Sequence, residues 1–275
     1  MRVAVAGGTG LVGRYVVEEL AAAGQEPVVL ARSRGVDLVT GAGLDAAVAG
    51  ADAVVDVSNV TTMSVRKAVS FFDSVGRNLL DAGERAGVRH HVVLSIVGVD
   101  RVGLGYYQGK LRQEDVVRNG RTPWTVLRAT QFHEFAEQTL DRVPEPFAVV
   151  PRMRTQPVAA REVAQHLARL VTAPARGMAP ELAGPRVEHL VDMVGRLLRA
   201  RRRQPAGAAG EDARRHGRRH DGRRSAPGRP RAPGHPDLRR VARLVRRPAR
   251  RPGRMTAPCP HHLDPRGTPT PPSAP

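Results

Sequence analysis

Three glycines near the start of the chain, Gly7, Gly10 and Gly13, are spaced three residues apart in RVAVAGGTGLVGRYVVEEL. They follow an apolar run typical of a buried strand and precede a pattern typical of an amphipathic helix. The first glycine permits a tight turn, the second lets a pyrophosphate approach the backbone, and the third lets the helix pack against the strand. Unpaired N–H groups at the helix start favour an anion. The pattern predicts a dinucleotide-binding loop, and a strand-to-helix turn without a ligand is the alternative. The predicted loop residues are Gly7, Thr9, Gly10, Leu11, Val12 and Gly13.

The residues after the second predicted strand bear on which dinucleotide binds. An acidic side chain there accepts hydrogen bonds from the adenosine ribose, whereas a cation accommodates a 2′-phosphate. The chain reads VVLARSR, with Arg32, Ser33 and Arg34 at this place. These residues favour NADP over NAD, and ordinary solvated surface charge is the alternative. Asp37 is a candidate acceptor for the adenine amine, with a turn-forming role equally open.

Ser58 and Asn59 end the run VVDVSN, which we number as the fourth strand of the sheet. Small polar residues at the carboxyl edge of an open α/β sheet lie where ligands bind. We expect them to line the ribose or nicotinamide path, and a helix N-cap role is the alternative.

Tyr106 and Lys110, in the segment GYYQGKL, have the chemistry needed to move a proton. In a helix they occupy positions i and i+4 on one face, about 5–6 Å apart at their Cβ atoms. A nearby cation favours the ionised tyrosine, so Lys110 could tune Tyr106 and also bind the cofactor ribose. Ser95, at the end of another predicted strand, could hold a carbonyl oxygen. Tyr107 is a competing candidate, and packing at a cleft wall is the alternative for both tyrosines.

These residues need an alternating α/β framework to position them. Strand-like runs occur at 3–6, 27–31, 53–57, 91–95 and 124–127, and helical patterns at 11–23, 64–86, 110–118 and 131–141. Short apolar strands separated by helices predict a parallel sheet covered on both faces, and right-handed crossovers make it a Rossmann-type doubly wound sheet. Two later helical patterns, near 161–172 and 186–200, predict a small substrate-side cap.

Composition divides the chain near residue 200. Residues 201–275 contain 20 Arg against 5 Asp and Glu, so they hold most of the net charge of +18. This tail is rich in proline and lacks aromatic residues, which predicts disorder. The whole chain has 2 lysines against 42 arginines, as a GC-rich coding sequence would give, and a shifted reading frame is an alternative origin for the tail. Because the basic charge is confined to the tail, we do not expect a nucleic-acid partner.

Several classes of protein are disfavoured by the rest of the sequence. No apolar run approaches the roughly 18 to 20 residues of a membrane span, and the first residues do not resemble a signal peptide, so a cytoplasmic protein is expected. The single cysteine, Cys259, excludes an internal disulfide framework. The pairs His90–His91 and His261–His262 lack a third ligand at suitable spacing, so no metal site is predicted.

The first 200 residues resemble the atypical short-chain dehydrogenase/reductases, particularly the NmrA-like NAD(P)-binding group. The resemblance rests on the glycine loop and on Arg32, Asn59, Ser95, Tyr106 and Lys110. The segment TVLRATQFHEF, residues 125–135, is similar to the family's segment that approaches the nicotinamide and substrate, although Ala129 stands where the family usually has proline. The resemblance implies NADP(H) and the reduction of a quinone, carbonyl or alkene.

Two functions follow as expectations. The first is an NADP(H)-dependent oxidoreductase acting on a small carbonyl, quinone or enone, with a pocket bounded by Phe132, His133, Phe135 and residues 147–153; core packing is the alternative for these side chains. The second is a non-catalytic NAD(P)-binding redox sensor, because the family that the chain resembles includes members that bind the dinucleotide without turnover.

Overall fold

Strands and helices alternate along the chain, as the hydrophobic pattern predicts. The computed structural model describes residues 1–62, 64–103, 105–141, 150 and 152–203. The strands are β1 Arg2–Ala6, β2 Glu26–Leu30, β3 Ala53–Asp56, β4 His90–Ile96, β5 Trp124–Ala129, β6 Arg154–Thr155, β7 Gly177–Met178 and β8 Glu188–His189. The α-helices are α1 Leu11–Ala22, α2 Leu44–Val48, α3 Val65–Ala86, α4 Gly105–Arg118, α5 Phe135–Asp141, α6 Ala160–Thr172 and α7 Leu190–Arg203.

Six strands form a parallel sheet in the order β2-β1-β3-β4-β5-β7. The chain runs from β1 outward to β2 and then returns to the other side of β1 with β3, so the strand order reverses between β1 and β3. Ligands of open α/β sheets bind at the carboxyl ends of the strands at such a reversal. The Rossmann-type doubly wound fold is therefore confirmed. The strand that ends at Asp56 is the third and not the fourth, because residues 31–52 contain no strand.

Both faces of the sheet are covered by helices. Val3 and Val5 of β1 pack with α1 and α6 on one face, while Ala4 and Ala6 pack with α2 and α3 on the other. This alternation is the period of two that a strand imposes on its side chains. Because β1 is buried on both faces, the loop that follows it begins at the centre of the sheet.

Smaller elements lie beyond the sheet on the C-terminal side. The antiparallel pair β6 and β8 stands apart from the main sheet, and helices α5 and α7 share a small apolar cluster around Ala136 and Leu190. Helix α7 continues through residue 200 to Arg203. The predictions for the tail beyond Arg203, and for residues 147–149 and 151 of the expected pocket, lie outside the described residues. No helix in the described ranges is long and apolar enough to cross a membrane.

Candidate functional site

The loop between β1 and α1 requires glycine at two of the three spaced positions. Gly7 has φ of +78°, and a Cβ atom there would lie 2.8 Å from the carbonyl oxygen of Val57. At Gly13 a Cβ atom would lie only 2.1 Å from the carbonyl oxygen of Gly7. The first glycine therefore makes the turn against the end of β3, and the third lets α1 sit directly on the loop.

The N-terminus of α1 is open to an anion. Gly10 occupies the N-cap position without a side-chain capping bond, and the first turn holds no acidic residue. The first N–H groups of an α-helix have no intrahelical acceptor, so those of Leu11, Val12 and Gly13 are available to a ligand. Thr9 and Gly10 are exposed, whereas the side chain of Val12 packs in the core and can contribute only its backbone.

The predicted 2′-phosphate residues lie in an exposed turn directly after β2. Arg32, Ser33 and Arg34 form a single 3₁₀ turn, and all three are exposed. Asp37 follows with Oδ1 accepting hydrogen bonds from the N–H groups of Val39 at 2.8 Å and Thr40 at 3.1 Å. These backbone bonds lower the pKa of the Asp37 carboxyl. Asp37 thus has the turn-forming role, and only its second oxygen remains outside that turn.

The end of β3 faces the glycine loop and helix α4. Ser58 is buried, and its Oγ has no hydrogen-bond partner among the described residues. Asn59 is exposed, and its Oδ1 accepts a 2.8 Å hydrogen bond from the Tyr106 hydroxyl. The N-cap of α3 is Ser64, which accepts from the N–H of Lys67, so capping is not the role of Ser58 or Asn59. Both residues therefore stand at the carboxyl edge, as predicted.

Helix α4 begins at Gly105, earlier than its sequence pattern predicts, and it carries both Tyr106 and Lys110. The ring of Tyr106 lies 5.9 Å from that of Phe72, and Lys110 Nζ lies 4.8 Å from the same Phe72 ring. Tyr107 turns toward another part of the site, where its hydroxyl accepts a long 3.4 Å hydrogen bond from Gln131. The structure thus brings Tyr106 and Lys110 together around Phe72, while the Tyr107 hydroxyl bonds to Gln131.

Lys110 is buried, with 4% of its surface exposed. Its Nζ donates to the carbonyl oxygen of Leu94 at 2.6 Å and to Oε1 of Gln113. Burial lowers the pKa of Lys110 to about 8, although the negative charges of Asp56 and Glu114 oppose that effect. Ser95 follows Leu94 on β4, and its buried Oγ has no hydrogen-bond partner among the described residues. The carbonyl oxygen that binds Lys110 and the predicted carbonyl-holding hydroxyl therefore belong to neighbouring residues of β4.

Sequence reasoning missed two polar residues that surround this lysine. Asp56 is fully buried, and its Oδ2 accepts a 2.5 Å hydrogen bond from Gln113 Nε2. The signal for Asp56 was available, since a carboxylate inside the apolar run AVVDV is unusual for a strand buried on both faces. The signal for Gln113 was its position, three residues after Lys110 on the same helix face.

The residues expected to bound the substrate pocket lie in two different parts of the structure. Phe132 packs against the main core and Phe135 against the α5–α7 cluster, so core packing accounts for both aromatic rings. His133 is exposed and borders a cavity of about 330 Å³ between α5 and α7, together with Glu134, Glu137, Met193 and Arg196.

Within the described ranges, no cluster of three or more His, Cys, Asp or Glu side chains could hold a metal ion.

A family model described as NAD(P)H-binding matches residues 7–174, which is more than half of the chain. The chain belongs to this NAD(P)H-binding family. The matched residues include the glycine loop, the Arg32 turn, the end of β3 and helix α4. The NAD(P)H-binding domain that the resemblance to the short-chain dehydrogenase/reductases implied is therefore confirmed, and the NmrA-like group is compatible with this match.

One curated relative of this NAD(P)H-binding protein comes from Streptomyces griseus subsp. griseus. It is named (4-alkanoyl-5-oxo-2,5-dihydrofuran-3-yl)methyl phosphate reductase, and it is 32% identical over 142 residues, covering 46% of this chain and 47% of the relative. The chain thus spans about half the length of the curated relative it matches.

Solved structures with the same fold bind either form of the cofactor. A UDP-glucose 4-epimerase of Thermus thermophilus in complex with NAD is 21% identical, with a TM-score of 0.59, and the match covers 74% of this chain and 85% of that one. An NADPH-dependent quinone oxidoreductase of Escherichia coli in complex with NADPH is 20% identical, with a TM-score of 0.55, and the match covers 74% of this chain and 76% of that one. At these identities the likeness concerns the fold.

Proposed function

We propose that the protein is an NADPH-dependent reductase of a small carbonyl, quinone or enone substrate. The observation that carries the proposal is the anchoring of Lys110 to the Leu94 carbonyl. This bond fixes a cation beside Ser95 and on the same helix as Tyr106. Helix α4 thus carries a hydroxyl that can donate a proton and a cation that favours its ionised form, and β4 carries a second, buried hydroxyl on the residue next to the one that binds the cation.

The residues at this edge fit a dinucleotide. The exposed Gly10 and the N–H groups of Leu11, Val12 and Gly13 would hold the diphosphate. Arg32 and Ser33 would bind a 2′-phosphate, which favours NADPH over NADH. The unpartnered Oγ of Ser58 and the side chain of Asn59 would line the ribose or nicotinamide path. When bound, NADPH supplies the hydride that reduces the substrate.

The chain's own residues would manage the proton. The Tyr106 hydroxyl, released from Asn59, would donate its proton to the substrate oxygen, and the Lys110 charge would stabilise the phenolate that remains. The Ser95 hydroxyl would donate a hydrogen bond to the same oxygen and hold it in place. Helix α4 supplies two of these three groups, so its position on β4 sets the geometry of the transfer.

The relatives support the class of reaction. The Streptomyces griseus protein is named as a reductase and the Escherichia coli protein as a quinone oxidoreductase. A quinone has an electron-poor carbonyl conjugated to a double bond. The proposed substrate is therefore a small organic molecule with an electron-poor carbonyl or a conjugated double bond.

The test is a screen of NADPH oxidation over quinones, aldehydes and enones with four variants. Tyr106→Phe should lower kcat by about 10²- to 10⁴-fold, the usual contribution of a general acid. Lys110→Met should shift or abolish the pH dependence of kcat, whereas Lys67→Met, which changes an exposed lysine on α3, should not. If Tyr107→Phe causes the larger loss, the proton donor is Tyr107; full activity in both tyrosine variants would refute the mechanism.

The second candidate is a redox sensor that binds NAD(P)H without turnover. It is favoured by one observation: the Tyr106 hydroxyl and Lys110 Nζ both hydrogen-bond to protein acceptors in this structure. A sensor would bind NADPH in calorimetry and oxidise none of it with any substrate of the panel. Turnover that depends on Tyr106 would eliminate this candidate.

A further inference from the structure

A chain of buried polar groups runs beneath helix α4 to the end of β3. Lys110 Nζ donates to Gln113 Oε1, and Gln113 Nε2 donates to Asp56 Oδ2 at 2.5 Å. The other carboxylate oxygen, Asp56 Oδ1, accepts a 2.9 Å hydrogen bond from the backbone N–H of Ser58. Gln113 and Asp56 are both fully buried, so water does not compete for these bonds.

The side chain at position 113 must accept one hydrogen bond and donate another. It lies between an ammonium, which can only donate, and a carboxylate, which can only accept when ionised. An amide has one oxygen and one nitrogen at the right separation to satisfy both. A buried cation and a buried carboxylate are thereby joined without direct contact, and each keeps a hydrogen-bond partner, as buried charges require.

The charges around Lys110 leave Asp56 as its counter-ion. Glu114 of α4 also faces Lys110, but Glu114 is fully buried in an ion pair with Arg128 of β5, at 2.8 Å. On β4, His91 is buried and its pKa is lowered to about 4, mainly by burial, so it is neutral at physiological pH. On α3, the uncharged ring of Phe72 contacts Lys110. Asp56 therefore balances the lysine through Gln113.

The far end of this polar chain meets the cofactor loop. Val57 and Ser58 form the surface against which Gly7 packs, since a Cβ atom at Gly7 would lie 2.8 Å from Val57 O and 2.9 Å from Ser58 Cα. The next residue, Asn59, accepts the hydrogen bond from Tyr106. A shift of the backbone at Ser58 would therefore reach both the glycine loop and Tyr106.

We propose that Asp56 and Gln113 are positioning residues of the NAD(P)H site, which hold the backbone of residues 57–59 against the glycine loop by linking it to Lys110. They touch neither substrate nor cofactor and act through Ser58 and Asn59. The proposal concerns cofactor binding and does not depend on the reductase activity proposed above. A protein that binds NADPH without turnover would leave it intact.

Two single variants and their combination test this linkage. Asp56→Asn keeps the acceptor for Ser58 but sets a new amide donor against Gln113 Nε2. Gln113→Glu keeps the acceptor for Lys110 but sets two carboxylates face to face. The double variant reverses only the bond between positions 113 and 56: the amide at position 56 donates to the carboxylate at position 113, which still accepts from Lys110, and the amide oxygen at position 56 still accepts from the Ser58 N–H. Its formal charge equals that of the wild-type chain.

The readout is the dissociation constant of NADPH, measured by calorimetry on folded protein. Each single variant should weaken NADPH binding by about tenfold, because a mismatched buried pair displaces the backbone at Ser58. The double variant should recover most of that loss, whereas Asp115→Asn, on the outer side of α4, should change nothing. The proposal is overturned if the folded single variants bind NADPH as the wild type does, or if the double variant binds no better than the weaker single.

A second measurement uses the wild-type protein, in case a single variant does not fold. The chain has two lysines, so selective labelling with [¹³Cε]lysine yields two side-chain NMR signals, from Lys67 and Lys110. Saturating NADPH should raise the pH at which the Lys110 signal titrates, because ordering residues 57–59 strengthens the link between Asp56 and the charged lysine. An unchanged Lys110 midpoint with NADPH bound would contradict the proposal.

Discussion

Replacing Gly13 by alanine tests the close packing of α1 on the glycine loop. The new Cβ atom would lie 2.1 Å from the carbonyl oxygen of Gly7. That oxygen already accepts a 2.9 Å hydrogen bond from the N–H of Gly10, so the loop backbone and not a flexible side chain must move. We expect overpacking to cost about 3 kcal/mol, at the upper end of the usual range, because backbone is displaced.

Gly195→Ala in helix α7 is the matched control. It makes the same chemical change inside a helix, but the nearest atom to the new Cβ is the end of the Arg199 side chain at 3.6 Å. Alanine is favoured over glycine in an open helical position by about 0.5–1 kcal/mol. The control should therefore be slightly stabilised, and the two variants should differ by roughly 3.5–4 kcal/mol in the free energy of unfolding.

Urea unfolding gives the free energy of unfolding for both variants, and an NADPH titration gives their affinity for the cofactor. Gly13→Ala should unfold at lower urea and bind NADPH weakly, because the displaced loop includes the residues proposed to bind the diphosphate. Gly195→Ala should bind NADPH as the wild type does. Equal stability of the two variants, or normal NADPH affinity in Gly13→Ala, would refute the close-packing argument.

Three further predictions concern charge. The Lys110 signal should titrate near pH 8 in [¹³Cε]lysine NMR spectra, and the signal of the exposed Lys67 is the internal reference. If both signals titrate at the same pH, Lys110 is not buried. Burial lowers the pKa of His91 from 6.5 to about 4, so its contribution to stability is complete above pH 6.5 and is lost as the pH falls toward 4, by about 3 kcal/mol in all. The urea midpoint of His91→Leu should therefore depend less on pH than that of the wild type between pH 6.5 and 4. The same pH dependence of the midpoint in both proteins would contradict this. Arg32→Glu should change the ratio of NADPH to NADH affinity by about tenfold in favour of NADH, and an unchanged ratio would remove Arg32 from the 2′-phosphate site.

The features of the site that could be predicted from sequence are those encoded by neighbours along the chain. The glycine spacing, the exposed Arg32 turn and the i and i+4 relation of Tyr106 and Lys110 depend on fewer than a dozen consecutive residues each. The structure also explains why a glycine stands inside helix α4. A Cβ atom at Gly109 would lie 2.8 Å from the backbone of Ala68, so this glycine lets α4 pack closely on α3.

Other predictions were incomplete because tertiary contacts override local pattern. The helix expected from residue 131 begins at Phe135, since Phe132 instead forms a bridge with Val158. Asp37 was open to two roles, and the backbone N–H groups of its own turn occupy one carboxylate oxygen. In each case a hydrogen-bond partner decides the outcome, and hydrophobic periodicity carries no information about that partner.

The sequence alone determined the doubly wound sheet and the dinucleotide loop, because apolar periodicity and glycine spacing act over short stretches of chain. Only the tertiary structure decided what surrounds Lys110. Its link to Asp56 passes through Gln113, which lies 57 residues from Asp56 in sequence. The pKa of Lys110, and the coupling of helix α4 to the end of β3, arise from burial and from bonds between distant residues, which exist only once α4 packs on the sheet.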